Sequence, residues 1–215
     1  MITEYGISTF IKITLILTII TLASWYFIDN QLYKIIISIF VLLFFLFTLN
    51  FFRDPERTSP IGEKYIISPA DGEVIKIEQI EEEKFIKGKS VMISIFMSPL
   101  NVHVNRNPID GNVAYYQYVP GEYFAAFEDK ASLKNEQTHI GVENKFGKVI
   151  FKQIAGFVAR RIICTLKVGD SVKAGTRFGM IQFGSRVDVY LPATAKINVK
   201  MNEKTVAGET ILAEF

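Results

Sequence analysis

The chain of 215 residues predicts a mainly β domain preceded by an N-terminal pair of membrane-crossing helices. Three features carry that expectation. Two apolar runs, at 7–28 and 35–52, each approach the roughly 20 residues that span a hydrocarbon core. Beyond residue 52, short runs rich in β-branched and aromatic residues recur between turn signals. No useful helical period appears there, apart from 124–134.

The first apolar run carries one charge, Lys12, and lacks a small-residue cleavage site. A second run follows at once, so the pair reads as a retained hairpin and not as a removable signal peptide. Arg53, Arg57 and Lys64 lie just past the second run, whereas Asp29 and Lys34 cancel in the connecting loop. This charge asymmetry predicts an inner-membrane anchor with the remainder of the chain facing the cytoplasm. The charged, two-proline segment 53–60 reads as a helix stop and linker. It separates an anchor, 1–52, from a β-rich domain, 53–215. Within that domain strands are expected at 65–67, 73–78, 91–96, 112–119, 148–155, 161–166, 186–191 and 196–201. Turn signals such as Asp71-Gly72, Lys87-Gly88, Asp110-Gly111 and Gly169-Asp170 punctuate them.

Apolar residues make up 49% of the chain, which is high for a soluble protein and fits a part held in lipid. The formal net charge of +2, with no long run of Lys or Arg, gives no argument for a nucleic-acid partner. Cys164 is the only cysteine, so an internal disulfide and a cysteine-based metal cluster are both excluded. It is expected to be a small buried apolar residue, and no metal site is expected.

The chemistry-bearing stretch is Phe183-Gly184-Ser185-Arg186. Gly184 lets its carbonyl be approached closely, and the Ser185 hydroxyl is placed to attack it. That attack turns the amide into an ester; elimination would leave dehydroalanine, and hydrolysis would leave a pyruvoyl group at a new N-terminus. A Gly-Ser pair taken alone reads equally as a strand kink or turn.

Two segments, 68–77 and 168–181, echo each other and resemble pieces of the barrel-sandwich hybrid of lipoyl and biotinyl carriers. The modified-lysine hairpin tip of such carriers is missing, so the resemblance concerns architecture alone. Five further motifs occur in order: Phe52-Arg53-Asp54-Pro55-Glu56-Arg57, Ser68-Pro69-Ala70-Asp71-Gly72, the run 97–106 containing Val102-His103-Val104-Asn105-Arg106, the run 153–161 beginning Gln153-Ile154-Ala155-Gly156, and Phe183-Gly184-Ser185-Arg186. Together they resemble the short, membrane-anchored branch of the phosphatidylserine decarboxylases, from about Arg53 to the C-terminus.

That resemblance implies a proenzyme cut between Gly184 and Ser185 into a β chain, 1–184, and an α chain, 185–215. Ser185 would become the pyruvoyl group, with no external cofactor. The ketone would take the amine of phosphatidylserine and act as electron sink while CO₂ leaves, giving phosphatidylethanolamine for phospholipid biosynthesis. His103 matches a catalytic histidine of the family, and Asp71 the aspartate of its Asp-His-Ser self-cleavage triad. The longer branch carries a second histidine where this chain has Arg106, which stays protonated and cannot act as a base. Either His103 then serves both cleavage and decarboxylation, or His139 or water takes one task; His139 otherwise reads as a surface or structural residue. Arg160, Arg161 and Arg186 are candidates to grip the lipid phosphate or carboxylate. The aromatic stretch 124–127 reads either as a bilayer contact or as core.

Two other readings stay open to the sequence. One is a noncatalytic, membrane-tethered β domain that binds lipid or protein; the other is a pyruvoyl decarboxylase of another amino acid. A homo-oligomer is compatible with the decarboxylase reading and with both of these.

Overall fold

The computed structural model describes residues 1–122, 134–156, 161–182 and 185–215. Gly184, Arg160, the 124–127 stretch and all but the last residue of the expected 124–134 helix therefore lie outside the described residues. The chain divides into two units, Met1–Pro55 and Glu56–Phe215.

The first unit is a helical hairpin, α1 (Ile7–Phe27) and α2 (Gln31–Phe51). Helix α2 starts four residues before the expected run because the Asn30 side chain accepts from the Leu32 N–H at 2.9 Å and caps it. Lys34 thus sits in the first turn of α2, not in the connecting loop. The hydroxyls of Thr14, Thr18, Thr21, Ser38 and Thr48 donate to the carbonyls four residues back. Their polarity is thereby consumed within the helices, as a lipid environment requires. Leu22, Phe40 and Leu43 are exposed. Such bare apolar surface on both helices is compatible with membrane anchoring. At the open end Thr3 N–H donates to the Phe52 carbonyl and Asp54 N–H to that of Met1.

The second unit is all β. Its strands are β1 (Tyr65–Ile67), β2 (Gly72–Glu82), β3 (Gly88–Met97), β4 (Val104–Arg106), β5 (Gly111–Val119), β6 (Gln137–Asn144), β7 (Gly147–Ala155), β8 (Arg161–Cys164), β9 (Ser171–Val172), β10 (Arg177–Gln182), β11 (Ser185–Pro192), β12 (Lys196–Ile197), β13 (Lys204–Thr205) and β14 (Ile211–Glu214). They form an eight-stranded sheet of order β13-β2-β3-β11-β7-β6-β5-β9, curled as a half-barrel, and two three-stranded sheets, β1-β14-β12 and β4-β10-β8.

One face of the large sheet feeds the core with Ile93, Ile95, Val149, Phe151, Val187 and Val189. Phe178 of β10 joins this core, its ring 5.2 Å from that of Phe151. Strand β10 is not among the expected strands because Gly179 interrupts its apolar run. A Cβ there would collide with the Ile163 carbonyl oxygen, so this glycine marks close approach of two strands and not a turn. Strand β6 is also unexpected: its Gln137, Thr138 and His139 are polar yet buried. Only Lys196–Ile197 of the expected 196–201 strand forms, since the chain turns at Asn202, whose φ is 64°.

Candidate active site

Ser185 opens β11, the strand held between β3 and β7. It pairs with Met97 on one side and Ala155 on the other. Its side chain is fully buried, and its hydroxyl donates to the Met97 sulfur at 3.3 Å. Residues directly opposite each other in a sheet share a face, and neighbours along a strand alternate. Ser185, Met97, Gln153 and Thr138 therefore lie on the core face; Arg186, Asp188, Lys152 and His139 lie on the other.

His103 precedes β4 and is fully buried. Its carbonyl accepts from the Ile181 N–H at 3.3 Å, which carries the β4–β10 pairing back to this residue. His103 Nδ1 lies 3.0 Å from the Asn101 carbonyl. A carbonyl only accepts, so Nδ1 carries the proton and the basic nitrogen of the neutral ring is Nε2. Asn105, two residues on, projects from the same side of this extended segment. Its Nδ2 donates to the Pro69 carbonyl at 3.3 Å and contacts the Met97 sulfur at 3.8 Å. The His103 segment and Ser185 are thereby joined through one thioether.

The 68–71 loop joins the same cluster. The Pro69 carbonyl accepts from the Arg106 N–H at 3.0 Å, next to its bond with Asn105. Asp71 is buried, with Oδ1 accepting from the Ala207 N–H at 2.7 Å and Oδ2 lying 3.1 Å from Arg57 Nη2. Arg57 also reaches Glu209 at 3.5 Å. Arg106, which stands where the longer branch has a histidine, donates to the Gly175 carbonyl at 2.9 Å. It packs against Gly208, whose φ of 78° suits glycine and whose missing Cβ would lie 2.8 Å from the arginine stem. Its role in this geometry is to tie the turns together.

The opposite face of the sheet carries a separate buried polar group. The Arg186 guanidinium is 2.6 Å and 3.1 Å from the two Asp188 carboxylate oxygens and 2.8 Å from Ser94 Oγ. It points away from Ser185 and is held inside the protein, which removes the sequence-based reason for treating it as a substrate grip. Lys152 Nζ donates to the Tyr190 hydroxyl at 2.9 Å, and burial pushes the Lys152 pKa down. His139 is buried, not at the surface, with Nε2 2.9 Å from Gln137 Oε1. Burial first, and the Lys152 charge second, lower its pKa to about 3. It lies on the face of the sheet opposite Ser185.

Arg161 is exposed at the start of β8, where it pairs with Gln182. Cys164 is half-buried beside the core, its thiol pushed up by burial to about 11. Asn105, Gln153, Thr138 and Met97 are not singled out by the sequence. Asn105 and Gln153 stand within quoted motifs, but only the fold aligns their side chains. Among the described residues no group of three His, Cys, Asp or Glu side chains suits a metal ion.

A family model described as phosphatidylserine decarboxylase matches residues 44–213 of the chain. The phosphatidylserine decarboxylase proenzyme of Chlorobium phaeobacteroides strain DSM 266 is 44% identical over 99% of both chains. Proenzymes of the same description from Chlorobium limicola and Pelodictyon phaeoclathratiforme are 45% and 46% identical over the full length of both chains.

Proposed function

This chain belongs to the phosphatidylserine decarboxylase family, and we propose that it becomes active by cutting itself at Ser185. It is an enzyme that decarboxylates phosphatidylserine to phosphatidylethanolamine, a step of phospholipid biosynthesis.

The observation that carries the self-cleavage reading is the burial of the Ser185 hydroxyl at the head of β11 on a weak sulfur acceptor, beside the segment that bears His103. In the proposed step His103 Nε2 takes the Ser185 Oγ proton as Oγ adds to the Gly184 carbonyl carbon, whose π pair moves to oxygen. Collapse breaks the C–N bond, and the proton passes to the departing nitrogen, leaving an ester on Ser185 and a free amine. Loss of the Cα proton expels the 1–184 carboxylate and leaves dehydroalanine; water then releases ammonia. The pyruvoyl group so formed supplies a ketone for the substrate amine and an adjacent carbonyl that withdraws electrons as CO₂ leaves. Asp71, fixed by Arg57 and Ala207, provides the negative charge that stabilises the protonated imidazole.

Ser185 is fully buried on the core face of the sheet, away from bulk water, which suits a reaction that loses CO₂. His103 is the proposed proton donor to the product carbon, so one histidine serves both stages. Arg161 is the proposed contact for the lipid phosphate, with Arg160 beside it in sequence. The two apolar helices anchor the enzyme in the cell membrane, and Arg53, Arg57 and Lys64 favour a cytoplasmic β domain. With phosphatidylserine vesicles as substrate, the purified chain should release CO₂ and phosphatidylethanolamine, whereas Ser185→Ala should release neither. Turnover by the alanine variant would overturn the assignment of Ser185.

A further inference from the structure

Thr138, Gln153 and Asn105 have no part in the steps above, yet they form a directed chain that ends at Ser185. All three are buried, as is Met97. The Thr138 hydroxyl donates to Gln153 Oε1 at 2.7 Å; the amide is oriented by its Nε2, which reaches the Ile163 carbonyl, a pure acceptor, at 3.4 Å. Gln153 Nε2 then donates to Asn105 Oδ1 at 2.9 Å. The other end of Asn105 must be its NH₂, and this reaches the Pro69 carbonyl at 3.3 Å and the Met97 sulfur at 3.8 Å. Ser185 Oγ donates to the same sulfur at 3.3 Å.

Asn105 thus links three segments: the 68–71 loop, the end of β3 and, through Gln153, the last third of β7. The links to sulfur, a weak acceptor, are the ones nearest the nucleophile. A serine held this way keeps its orientation and leaves its partner easily for an imidazole.

Taking self-cleavage at Ser185 as given, we propose that Asn105 is a positioning residue for that step. Its amide, oriented by Gln153 and Thr138, holds the Met97 thioether against the Ser185 hydroxyl and the Asp71 loop against the His103 segment. Nucleophile and base are preset before reaction, and orientation of this kind is a large part of rate.

The test is the rate at which freshly made full-length chain converts to two fragments, followed over time and pH for wild type, Asn105→Asp and Thr138→Val. The carboxylate introduced by Asn105→Asp still accepts from Gln153, but it cannot donate to Pro69 or Met97. Cleavage of this variant should be slower by about tenfold or more at alkaline pH. As pH falls and the carboxyl gains a proton it can donate again, so the ratio of wild-type to variant rate should narrow. A defect of folding alone would instead appear as loss of folded protein at alkaline pH, with the chain that remains folded cleaving at the wild-type rate. Thr138→Val keeps size, touches neither Asn105 nor Ser185, and should slow cleavage by about threefold while lowering the melting temperature by only a few degrees, so that the chain stays folded at the assay temperature. Equal rates for wild type and Asn105→Asp, or a ratio that ignores pH, overturn the proposal. If Asn105→Asp fails to fold, the Thr138→Val rate decides: slowed supports, unchanged overturns. A wild-type chain that never converts overturns self-cleavage itself, an outcome distinct from a converting wild type matched by its variants.

Discussion

The chain has two histidines, and their surroundings differ sharply. His103 has its tautomer set by the Asn101 carbonyl and stands on the segment joined through Asn105 and Met97 to Ser185. His139 lies behind the sheet with its pKa lowered to about 3. Replacing His103 by Ala should therefore lower decarboxylation by at least about 100-fold, a usual contribution of one acid–base group. Replacing His139 by Gln should leave turnover intact but change acid stability. The folded pKa of His139 lies below its ordinary 6.5, so below that pH the unfolded chain binds a proton that the folded chain does not. The native protein then loses about 1.4 kcal/mol per pH unit from this group as pH falls from 6.5 towards 3. The Gln variant should show a shallower decline across that window in denaturant titrations; an identical slope would contradict the burial of a neutral imidazole.

At the scale of the strand, β11 is built to hold its first residue still. It is paired on both edges, and behind it the Arg186–Asp188 pair is fully enclosed. A buried ion pair adds little net stability, but removing one partner strands the other charge. Arg186→Met should lower stability by about 3–5 kcal/mol, while Arg186→Met with Asp188→Leu should recover most of it, as read from thermal melts. If the double variant were as unstable as the single one, the arginine would have another role. Strands with continuous β-branched or aromatic texture, such as β3 and β7, are legible in the sequence. Strands β6 and β10 are not, because polar residues and a glycine break the pattern; β6 buries Thr138 by pairing it with Gln153, and β10 uses Gly179 for close strand contact. Arg186 misleads for a related reason: an arginine beside a reactive serine looks like a ligand grip until strand alternation sends it to the other face.

Across the whole molecule, the hairpin and the β domain are legible because each obeys a single composition rule: unbroken apolar length for the first, repeated turn-bounded runs for the second. The candidate site is legible only as motifs, since Asp71, His103 and Ser185 come from segments that meet through the Pro69, Asn105 and Met97 contacts. Spacing along a chain carries no record of such a meeting. The most direct measurement is the intact mass of the purified full-length protein under denaturing conditions. Two fragments should appear, residues 1–184 and residues 185–215, the shorter one lacking a free amine and carrying a ketone in place of its serine. A single mass for the uncut chain, persisting on long incubation in a preparation that still decarboxylates phosphatidylserine, would contradict the account.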